Sequence, residues 1–403
     1  MKFEDMINKV ICGDCLEVMK DIPDNSIDCM VTSPPYWALR DYGVEGQIGL
    51  EPTFQEYIEK LITIFDEVKR ILKKEGTCFV NIGDTYISKG ETRHIGYSDP
   101  KNPKVGVKNY IEPSALLQSI PEKCLTQIPS RFAIEMSNHG WILRNEIIWY
   151  KRNCMPSSVK DRFTVDFEKV FFFVKSKKYW FEQQYEKNQD SWGRWGKYTN
   201  PKMKQIKGAM SGAKEKTKEQ VEFESTQGRN KRCVWDIPTK PFPESHFAVF
   251  PPTLVEPMIK AGCPQYICSK CGKAREKIYK VVGNQVTESM RIAGCDKEGN
   301  YYGKEQKDYD SAKANKPSET KRRILKSMSQ IKEFEYSNCG CNSPFKGGIV
   351  LDPFAGSGTV GVVAKRMGIK YILIDLNPEY CKMAEERLRK VPERLDNILK
   401  EVE

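Results

Sequence analysis

Short apolar runs and one long helical pattern alternate through the amino-terminal part of the chain. Residues 8–14, 27–31 and 77–82 are apolar runs with the length of strands. From Glu56 to Leu72, apolar side chains recur every three or four positions, which predicts an amphipathic helix with Gly76 as its stop. Strand, helix and strand in this order are typical of a parallel sheet with helices on both faces.

The alternation continues to the carboxyl end, with two long interruptions. Further strands are predicted at 141–150, 170–175, 349–351 and 371–374, and further helices at 130–139, 253–261, 358–368 and 378–391. The first two of these strands would form an antiparallel pair at one edge of the sheet. Residues 181–230 and 266–345 have no clean period, so they are predicted to be insertions into one α/β domain.

Composition and length predict an intracellular globular protein. The 403 residues are 39% hydrophobic and 11% aromatic, enough for a large buried core. No apolar run approaches the roughly 20 residues of a membrane span, and the first residues lack the apolar core of a signal peptide. We therefore expect a cytoplasmic protein, whose 14 cysteines are thiols or metal ligands rather than disulfides.

The formal net charge of +11, from 65 basic and 54 acidic residues, favours a polyanionic partner. A lysine-rich, well-solvated surface would give the same balance. The distribution of charge favours the partner, because residues 187–218 interleave basic side chains with tryptophan and tyrosine, and residues 270–333 are similarly rich in lysine.

A glycine-rich turn joins the strand predicted at 349–351 to the next helix. It reads Leu351-Asp-Pro-Phe-Ala-Gly-Ser-Gly-Thr359. Gly356 and Gly358 permit a tight turn and a close approach of a ligand to the backbone, and the helix start offers free N–H groups. The turn therefore predicts a nucleoside-cofactor site. With Gly361 the spacing also satisfies a nicotinamide fingerprint, but the Asp-Pro-Phe prefix points away from that cofactor.

A second motif, Val31-Thr-Ser-Pro-Pro-Tyr-Trp37, follows the strand predicted at 27–31. Prolines cannot continue a central strand, so the motif lies just past the strand end, where ligands bind in sheets of this class. A small polar residue, two rigid prolines and an aromatic ring would form the lip of a pocket for a planar amine. A proline-rich turn without chemistry is the competing interpretation.

Together the two motifs resemble those of DNA methyltransferases that transfer a methyl group from S-adenosylmethionine to an exocyclic base amine. The resemblance is closest to the cytosine-N4 type, whose signature is an aliphatic residue followed by Thr-Ser-Pro-Pro and Phe or Tyr. It covers residues 8–180, 232–262 and 347–390 and includes Ser158-Val-Lys-Asp-Arg-Phe163. The catalytic motif precedes the cofactor motif, which resembles the permuted order of part of that family.

The resemblance implies an α/β fold, a doubly wound, mostly parallel seven-stranded sheet of the methyltransferase type, with circularly permuted motif order and two inserted regions. The expected segments are a catalytic half at 1–180, a target-recognition insertion at 181–230, a return to the catalytic domain at 231–265, a zinc-bearing insertion at 266–345 and a cofactor-binding half at 346–403.

The resemblance also implies a set of cofactor residues. They are Asp352, Phe354, Gly356, Gly358 and Thr359 in the glycine turn, with Asp14, Phe250 and Asp375 outside it. Asp375 would hold the ribose, Asp14 would lie near the adenine, and Phe250 would close over the methionine end. Capping of the next helix is the alternative for Asp375, and packing at a helix start is the alternative for Phe250.

Methylation of the cytosine N4 amine requires two acceptors that aim the amine lone pair at the methyl group. The Ser33 hydroxyl and the Pro34 carbonyl would accept from the amine hydrogens, held rigid by Pro35. Tyr36 would stack on the base and Trp37 would extend the wall of the pocket. The base must be flipped out of double-stranded DNA to reach these groups.

Rival functions stay open at this stage. They are an adenine-N6 DNA methyltransferase, a catalytically idle zinc-bearing DNA-binding protein, and a protein or RNA amine methyltransferase. The resemblance to cytosine-N4 enzymes implies a role in restriction–modification in a prokaryotic cell, alongside a cognate endonuclease that the protein need not contact.

Four cysteines around the second insertion have metal-ligand spacing. They are Cys268, Cys271, Cys339 and Cys341. Four thiolates suffice for a tetrahedral structural zinc site. Free thiols are the alternative, and Cys263 and Cys295 are possible substitute ligands.

Recognition of a DNA sequence is expected to come from the insertions, because the sheet is occupied by cofactor and base. Residues 181–230, with Trp192, Arg194 and Trp195, would read bases in the major groove. Residues 270–333, with Arg275, Arg291, Arg322 and Arg323 in and around them, would mainly clamp phosphates.

Overall fold

The structure is a computed structural model, and it describes residues 1–87, 120–186, 229–239, 250–284, 296–298, 300 and 330–392. The chain forms two units. The first comprises Met1–Gln184, Arg232–Ala274 and Ser343–Glu403, and the second comprises Tyr185–Lys231 and Arg275–Asn342. The second unit is therefore built from nearly the same residues as the two expected insertions.

Fourteen strands are present in the described residues. They are β1 (Lys9–Cys12), β2 (Ile27–Thr32), β3 (Leu72–Ile82), β4 (Ile142–Tyr150), β5 (Phe167–Val174), β6 (Tyr185–Glu186), β7 (Arg229–Asn230), β8 (Val234–Asp236), β9 (Ile267–Cys268), β10 (Lys277–Asn284), β11 (Gln330–Tyr336), β12 (Phe345–Lys346), β13 (Ile349–Asp352) and β14 (Lys370–Asp375). Eight of them form one sheet in the order β1-β14-β13-β2-β3-β5-β4-β8.

The large sheet is mostly parallel. Strands β1, β14, β13, β2 and β3 are neighbours in this order and run parallel to one another. Strand β5 is antiparallel to both of its neighbours, and β8 is parallel to β4. Strands β13 and β14 from the carboxyl end lie between β1 and β2 from the amino end. The two ends of the chain therefore complete one sheet, as the order of the motifs requires.

Helices cover both faces of this sheet. They are α1 (Phe3–Met6), α2 (Cys15–Lys20), α3 (Phe54–Ile71), α4 (Ile128–Asn138), α5 (Pro252–Gly262), α6 (Thr359–Arg366) and α7 (Pro378–Arg389). Successive residues of β3 belong to two separate apolar clusters. Cys78 and Val80 are in the cluster that contains α3 and α4, whereas Phe79 is in the cluster that contains α5 and α6. Side chains of a strand point to opposite faces in turn, so the predicted doubly wound α/β fold is confirmed.

Two details differ from the expectation. The sheet has eight strands rather than seven, because β8 adds to the outer side of β4 and buries Trp235. The antiparallel pair β4–β5 is therefore not at the edge. Helix α3 ends at Ile71 and β3 begins at Leu72, so Gly76 lies inside the strand and is not the helix stop. There a Cβ would lie only 2.7 Å from the Leu72 side chain.

The second unit contains two small antiparallel pairs in its described part. Tyr185 of β6 lies opposite Asn230 of β7, and β10 pairs with β11 along most of its length. Among the described helices of the whole chain, none combines the length and apolar character that crossing a membrane requires.

Candidate active site

The serine–proline motif and the glycine turn meet because the strands that precede them are neighbours. Val350 of β13 lies opposite Cys29 of β2 in a parallel pair, so both strands end at the same edge of the sheet. At that edge the Thr32 hydroxyl donates a 2.6 Å hydrogen bond to the Asp352 carboxylate, and both side chains are buried. The two motifs, far apart in sequence, are thus joined directly.

The glycine turn has the left-handed backbone that its glycines permit. Gly356 has a φ of 50° and Gly358 a φ of 74°, a region that residues with a Cβ rarely adopt. A Cβ at Gly358 would lie 2.7 Å from the Ala384 Cβ of α7, whereas a Cβ at Gly356 would meet no atom within 4 Å. Gly358 therefore allows α6 and α7 to pack closely, and Gly356 leaves open space beside the turn.

One pocket of the first unit is lined by both motifs. Its predicted lining residues are Asp14, Ser33, Pro34, Pro35, Tyr36, Phe250, Phe354, Gly356, Thr359 and Asp375. Asp352 and Gly358, also expected at the cofactor, do not line it. The first is fully buried beneath the turn, and the second forms the start of α6.

Asp375 ends β14 with its carboxylate against the glycine turn. One oxygen accepts from the Gly356 N–H at 2.7 Å and the other from the Asn377 N–H at 2.9 Å. Burial raises the pKa of Asp375, and these two hydrogen bonds oppose the rise. Helix α7 is capped instead by the Asn377 side chain, which accepts from the Glu379 N–H. Each carboxylate oxygen of Asp375 keeps a second lone pair for a ligand hydroxyl.

The other two outlying residues have a structural contact as well as a place at the pocket. Asp14 caps α2 by accepting a 3.1 Å hydrogen bond from the Glu17 N–H. Phe250 packs against the apolar cluster of α5 just before the helix begins. Both still line the pocket, so the packing role and the ligand role are compatible.

Asp352 is the most perturbed carboxyl of the site. Its Oδ1 accepts from Thr32 and from the Phe354 N–H at 3.1 Å, while its Oδ2 is buried with no hydrogen-bond partner among the described residues. Burial, reinforced by the charge of Asp375, raises the pKa of Asp352 to about 7.

Tyr36 is held in one orientation by a hydrogen-bond network. Its hydroxyl donates to Glu168 Oε2 at 2.8 Å, and the Asn81 amide donates to the same oxygen at 3.1 Å. Glu168 is also ion-paired with Lys151. Burial, followed by the charge of Glu168, raises the pKa of Tyr36 well above its usual value, so the phenol stays protonated. A Cβ at Gly83 would overlap the ring at 2.4 Å, so the glycine makes room for it.

The two prolines differ in what their carbonyls contact. The Pro35 carbonyl accepts a 2.8 Å hydrogen bond from the Tyr57 hydroxyl, whereas the Pro34 carbonyl accepts none from the described residues. The expected role of Trp37 is wrong. Its ring is buried against Phe54, and its indole N–H donates to the Glu51 carbonyl, so it anchors the chain in the core rather than extending the pocket wall.

The segment that follows this motif also lines the pocket, which its sequence alone did not indicate. Seven pocket residues come from it, namely Leu39, Arg40, Tyr42, Val44, Gly46, Gln47 and Ile48. The loop is tied back on itself, because the Gln47 side chain accepts from the Tyr42 N–H at 2.7 Å and donates to the Arg40 carbonyl. Tyr42 also meets Tyr380 of α7 edge to face at 5.9 Å. Three glycines within a few residues were the available signal for this compact loop.

The four cysteines with metal-ligand spacing form two pairs. Cys268 and Cys271 belong to the first unit, and Cys339 and Cys341 belong to the second. Gly272, directly after Cys271, has a φ of 71° and donates its N–H to the Cys268 carbonyl at 2.9 Å, which is a tight turn around the first pair. Gly340, between the second pair, has a φ of 70°. The donor set fits tetrahedral zinc.

Most residues expected to read bases or to contact phosphates lie outside the described residues. This applies to Trp192, Arg194, Trp195 and the lysines around them, and to Arg291, Arg322 and Arg323. Arg275 is described, and its guanidinium donates to the Ser337 carbonyl at 3.0 Å within the second unit.

Comparison with known proteins gives consistent matches over most of the chain. A family model described as "DNA methylase" matches residues 27–266 and 265–386. The Type II methyltransferase M.Cfr9I of Citrobacter freundii is 33% identical over 94% of this chain and 86% of its own length. The Type II methyltransferase M.SmaI of Serratia marcescens is 32% identical over 94% of this chain and 90% of its own length.

Two solved structures are also similar at low identity. The PvuII DNA methyltransferase, described as cytosine-N4-specific, aligns with a TM-score of 0.48 at 15% identity, covering 97% of this chain and 89% of its own. A DNA modification methylase of Thermus thermophilus, described as putative and complexed with S-adenosylmethionine, aligns with a TM-score of 0.44 at 18% identity, covering 95% and 94%.

Proposed function

This chain belongs to the DNA methylase family of exocyclic-amine methyltransferases and is a Type II DNA methyltransferase, and from that premise we propose that it methylates the N4 amine of cytosine in double-stranded DNA. One observation carries the choice of base. Ser33 opens the Ser-Pro-Pro-Tyr motif and lines the pocket shared with the glycine turn. The family resemblance implies Asp or Asn at this position in adenine-N6 enzymes, so the Ser33 hydroxyl favours cytosine.

The pocket fits S-adenosylmethionine, which supplies the electrophilic methyl group. Gly356 leaves room at the turn where a Cβ would stand. Asp375 offers carboxylate oxygens to the ribose hydroxyls, and Asp14 offers its own toward the adenine end. Phe250 and Phe354 supply apolar walls on the same pocket.

The base is received by the other side of the pocket. The Ser33 hydroxyl and the Pro34 carbonyl accept from the two amine hydrogens, which favours a pyramidal amine with its lone pair directed at the methyl group. Tyr36 stacks on the ring of the base. Its hydroxyl is already bonded to Glu168, so the contribution of Tyr36 is its aromatic face.

No strong base is required, because the amine proton leaves after the methyl group has been transferred. Glu168 is an unsuitable base, since it is ion-paired with Lys151 and accepts from both Tyr36 and Asn81. The reaction then depends on proximity and alignment of two bound reactants.

The test is incubation of the purified protein with mixed-sequence plasmid DNA and S-adenosylmethionine, followed by nucleoside mass spectrometry. We expect 4-methylcytosine, and no product with Tyr36→Ala, which removes the stacking ring. Accumulation of 6-methyladenine would transfer the assignment to adenine, and no methylated nucleoside with the unaltered protein would contradict the proposal altogether.

The same proposal includes a structural zinc ion held by Cys268, Cys271, Cys339 and Cys341. The Cys-x-x-Cys and Cys-x-Cys spacing and the tight turn at Gly272 support it. Methyl transfer to an amine needs no Lewis acid, so the ion would stabilise the fold rather than take part in the reaction. In the cell, methylation would protect the recognised sites from a cognate restriction endonuclease without direct contact between the two proteins.

A further inference from the structure

The loop between β4 and β5, residues 151–166, presents two large apolar side chains to solvent. Phe163 is 97% exposed and Met155 is 88% exposed, the two highest values among the large hydrophobic residues of the described chain. Single exposed apolar residues are common on surfaces. Two almost fully exposed large apolar residues on one loop are less common, and the contacts of the remaining loop residues suggest a function for them.

The loop is firmly anchored at its base. The Lys151 N–H donates to the Asp166 carbonyl at 2.7 Å and closes the loop. Arg152 makes two hydrogen bonds to the Asp236 carboxylate, at 2.8 and 2.7 Å. Asn153 accepts from the Thr239 N–H at 2.8 Å. The exposure of Phe163 therefore belongs to a loop with defined contacts.

The residues directly before Phe163 are anchored as well. The Arg162 guanidinium lies 3.7 Å from the centre of the Tyr86 ring. Asp161 is ion-paired with Lys123 at 2.8 Å. The two residues that precede Phe163 are thus held against the surface, while the phenyl ring of Phe163 is exposed to solvent.

The position of the loop connects it to the reaction site. Strand β4 runs in the same direction as β2 and β3, because β5 between β3 and β4 is antiparallel to both. The loop therefore leaves the sheet at the edge where Ser33 and Tyr36 lie. Lys151, the first residue of the loop, is ion-paired with Glu168, and Glu168 accepts a 2.8 Å hydrogen bond from the Tyr36 hydroxyl. One side chain thus separates the loop from the aromatic ring expected to stack on the base.

The charge of the loop is complementary to DNA. Residues 151–166 contain four basic and two acidic side chains. Lys160 and Arg162 are exposed close to Phe163, where they would meet the phosphates on either side of a gap in the duplex.

We infer that Phe163 enters the base stack of the duplex and fills the space left when the target base moves into the pocket. The inference rests on the proposed function, because it needs a base removed from double-stranded DNA. Extrusion breaks the stacking of the target with its neighbours, and an inserted apolar or aromatic side chain replaces part of that contact. Nothing comparable is required for a base that is already unpaired.

The test compares Phe163→Ala and Phe163→Trp with the unaltered protein on a short duplex carrying the site that the unaltered protein methylates. A second duplex has an abasic position opposite the target base, so that the target base has no pairing partner and leaves the helix more easily. Ile134→Ala is the matched control, since Ile134 is 60% exposed on α4 and belongs to neither the loop nor the pocket.

Phe163→Ala should lower kcat/KM on the paired duplex at least about 10-fold, a size expected for one lost stacking contact. On the abasic duplex the loss should shrink to about 3-fold or less. Phe163→Trp and Ile134→Ala should stay close to the unaltered protein on both duplexes, and affinity for S-adenosylmethionine should not change in any variant.

Two results would overturn the inference while leaving the proposed function intact. One is unaltered activity of Phe163→Ala on the paired duplex. The other is an equal loss on both duplexes, which would indicate a general structural role or, if sedimentation showed a changed oligomeric state, an interface between two copies of the chain. Failure of the unaltered protein to methylate DNA at all would instead contradict the proposed function, and the inference with it.

Discussion

At the scale of single residues, two carboxyl groups next to the glycine turn have different tasks. Asp375 lines the pocket and is bonded to backbone N–H groups on both sides. Asp352 is buried behind the turn and joins it to Thr32 of the catalytic motif. The first is placed to hold a ligand, and the second to hold the two motifs together.

Replacing Asp375 tests the first task. Asp375→Ala should weaken binding of S-adenosylmethionine by about 1.5–3 kcal/mol, as expected for lost hydrogen bonds to a charged group. Isothermal titration calorimetry measures the affinity, and thermal unfolding checks that the turn is still folded. Glu385→Ala, on the exposed surface of α7, is the control and should bind normally. Unchanged affinity in folded Asp375→Ala would remove Asp375 from the cofactor site.

Asp352 makes stability depend on pH in a definite direction. Its pKa is about 7 in the folded protein, above the ordinary value of 3.8, mainly because of burial. The folded state therefore keeps a proton that the unfolded chain has lost, and stability falls as pH rises from about 4 to about 7. The loss amounts to about 4 kcal/mol for a rise of this size.

Asp352→Asn should remove this dependence, because the amide oxygen still accepts from Thr32 and Phe354 but carries no charge. Urea unfolding at pH 5 and pH 8 measures the effect. The difference between the two pH values should be smaller in the variant than in the unaltered protein. An equal difference in both would show that Asp352 is not the group responsible.

At the scale of elements, the loop after the catalytic motif depends on its glycines. Gly49 has a φ of 100°, and a Cβ there would lie 2.9 Å from the Tyr36 carbonyl oxygen. Its N–H donates to the Glu51 carboxylate at 2.8 Å, and its carbonyl accepts from the Ala38 N–H. Gly43 has a φ of 70° but open space where its Cβ would stand. A comparison of the two glycines therefore distinguishes the effect of steric overlap, expected only at Gly49, from the effect of backbone strain, expected at both.

Gly49→Ala should therefore be more harmful than Gly43→Ala. Backbone strain alone costs about 1–2 kcal/mol at either position, and only Gly49→Ala adds an overlap with the backbone of the catalytic motif. We expect a lower melting temperature and weaker cofactor binding for Gly49→Ala, with Gly43→Ala close to the unaltered protein in binding. Equal effects of both variants on binding would argue against a role of the Gly49 contact in forming the pocket.

The four cysteines give a second prediction at this scale. Protein purified without chelators should contain about one zinc ion per chain by elemental analysis. Cys271→Ser should lose the metal and melt at a lower temperature, because metal binding contributes to folding. Cys154→Ser is the control, since Cys154 is not one of the four. A metal-free protein that is fully folded and active would exclude the zinc site.

At the scale of the whole molecule, catalysis and recognition of a DNA sequence are assigned to different parts of the chain. The pocket uses residues of the first unit alone. The insertions supply basic and aromatic side chains whose spacing predicted contact with DNA. The choice of sequence should therefore be separable from cofactor binding.

Replacing residues 187–204 with a neutral linker should abolish site-specific methylation and leave cofactor affinity unchanged. Replacing the lysines of 270–333 should instead weaken DNA binding at all sequences and flatten its dependence on salt, because fewer counterions are released. Mapping of methylated positions and binding assays at several salt concentrations measure the two effects. If the first replacement left the methylated sequence unchanged, base reading would have to reside elsewhere.

Local patterns in the sequence were enough to predict most of the fold and both halves of the pocket. Strands buried on both faces appear as continuous apolar runs, as in β2, and amphipathic helices such as α3 have the matching period. The positions of Ser33 and Gly356 follow from the same logic, because chain order and strand direction place the ends of parallel strands at one edge. These features depend on neighbouring residues, so they can be read one segment at a time.

Features that depend on distant residues could not be obtained in that way. Trp37 packs in the core against Phe54 and donates to the Glu51 carbonyl. Glu168, on β5, accepts from Tyr36, which follows β2. Strand β8 pairs with β4 although a long insertion precedes it in the sequence. Burial of a side chain depends on which distant segments pack over it, and the local pattern contains no information about them. The exposure of Phe163 follows from the same rule, because nothing in its own segment tells whether another part of the protein covers it.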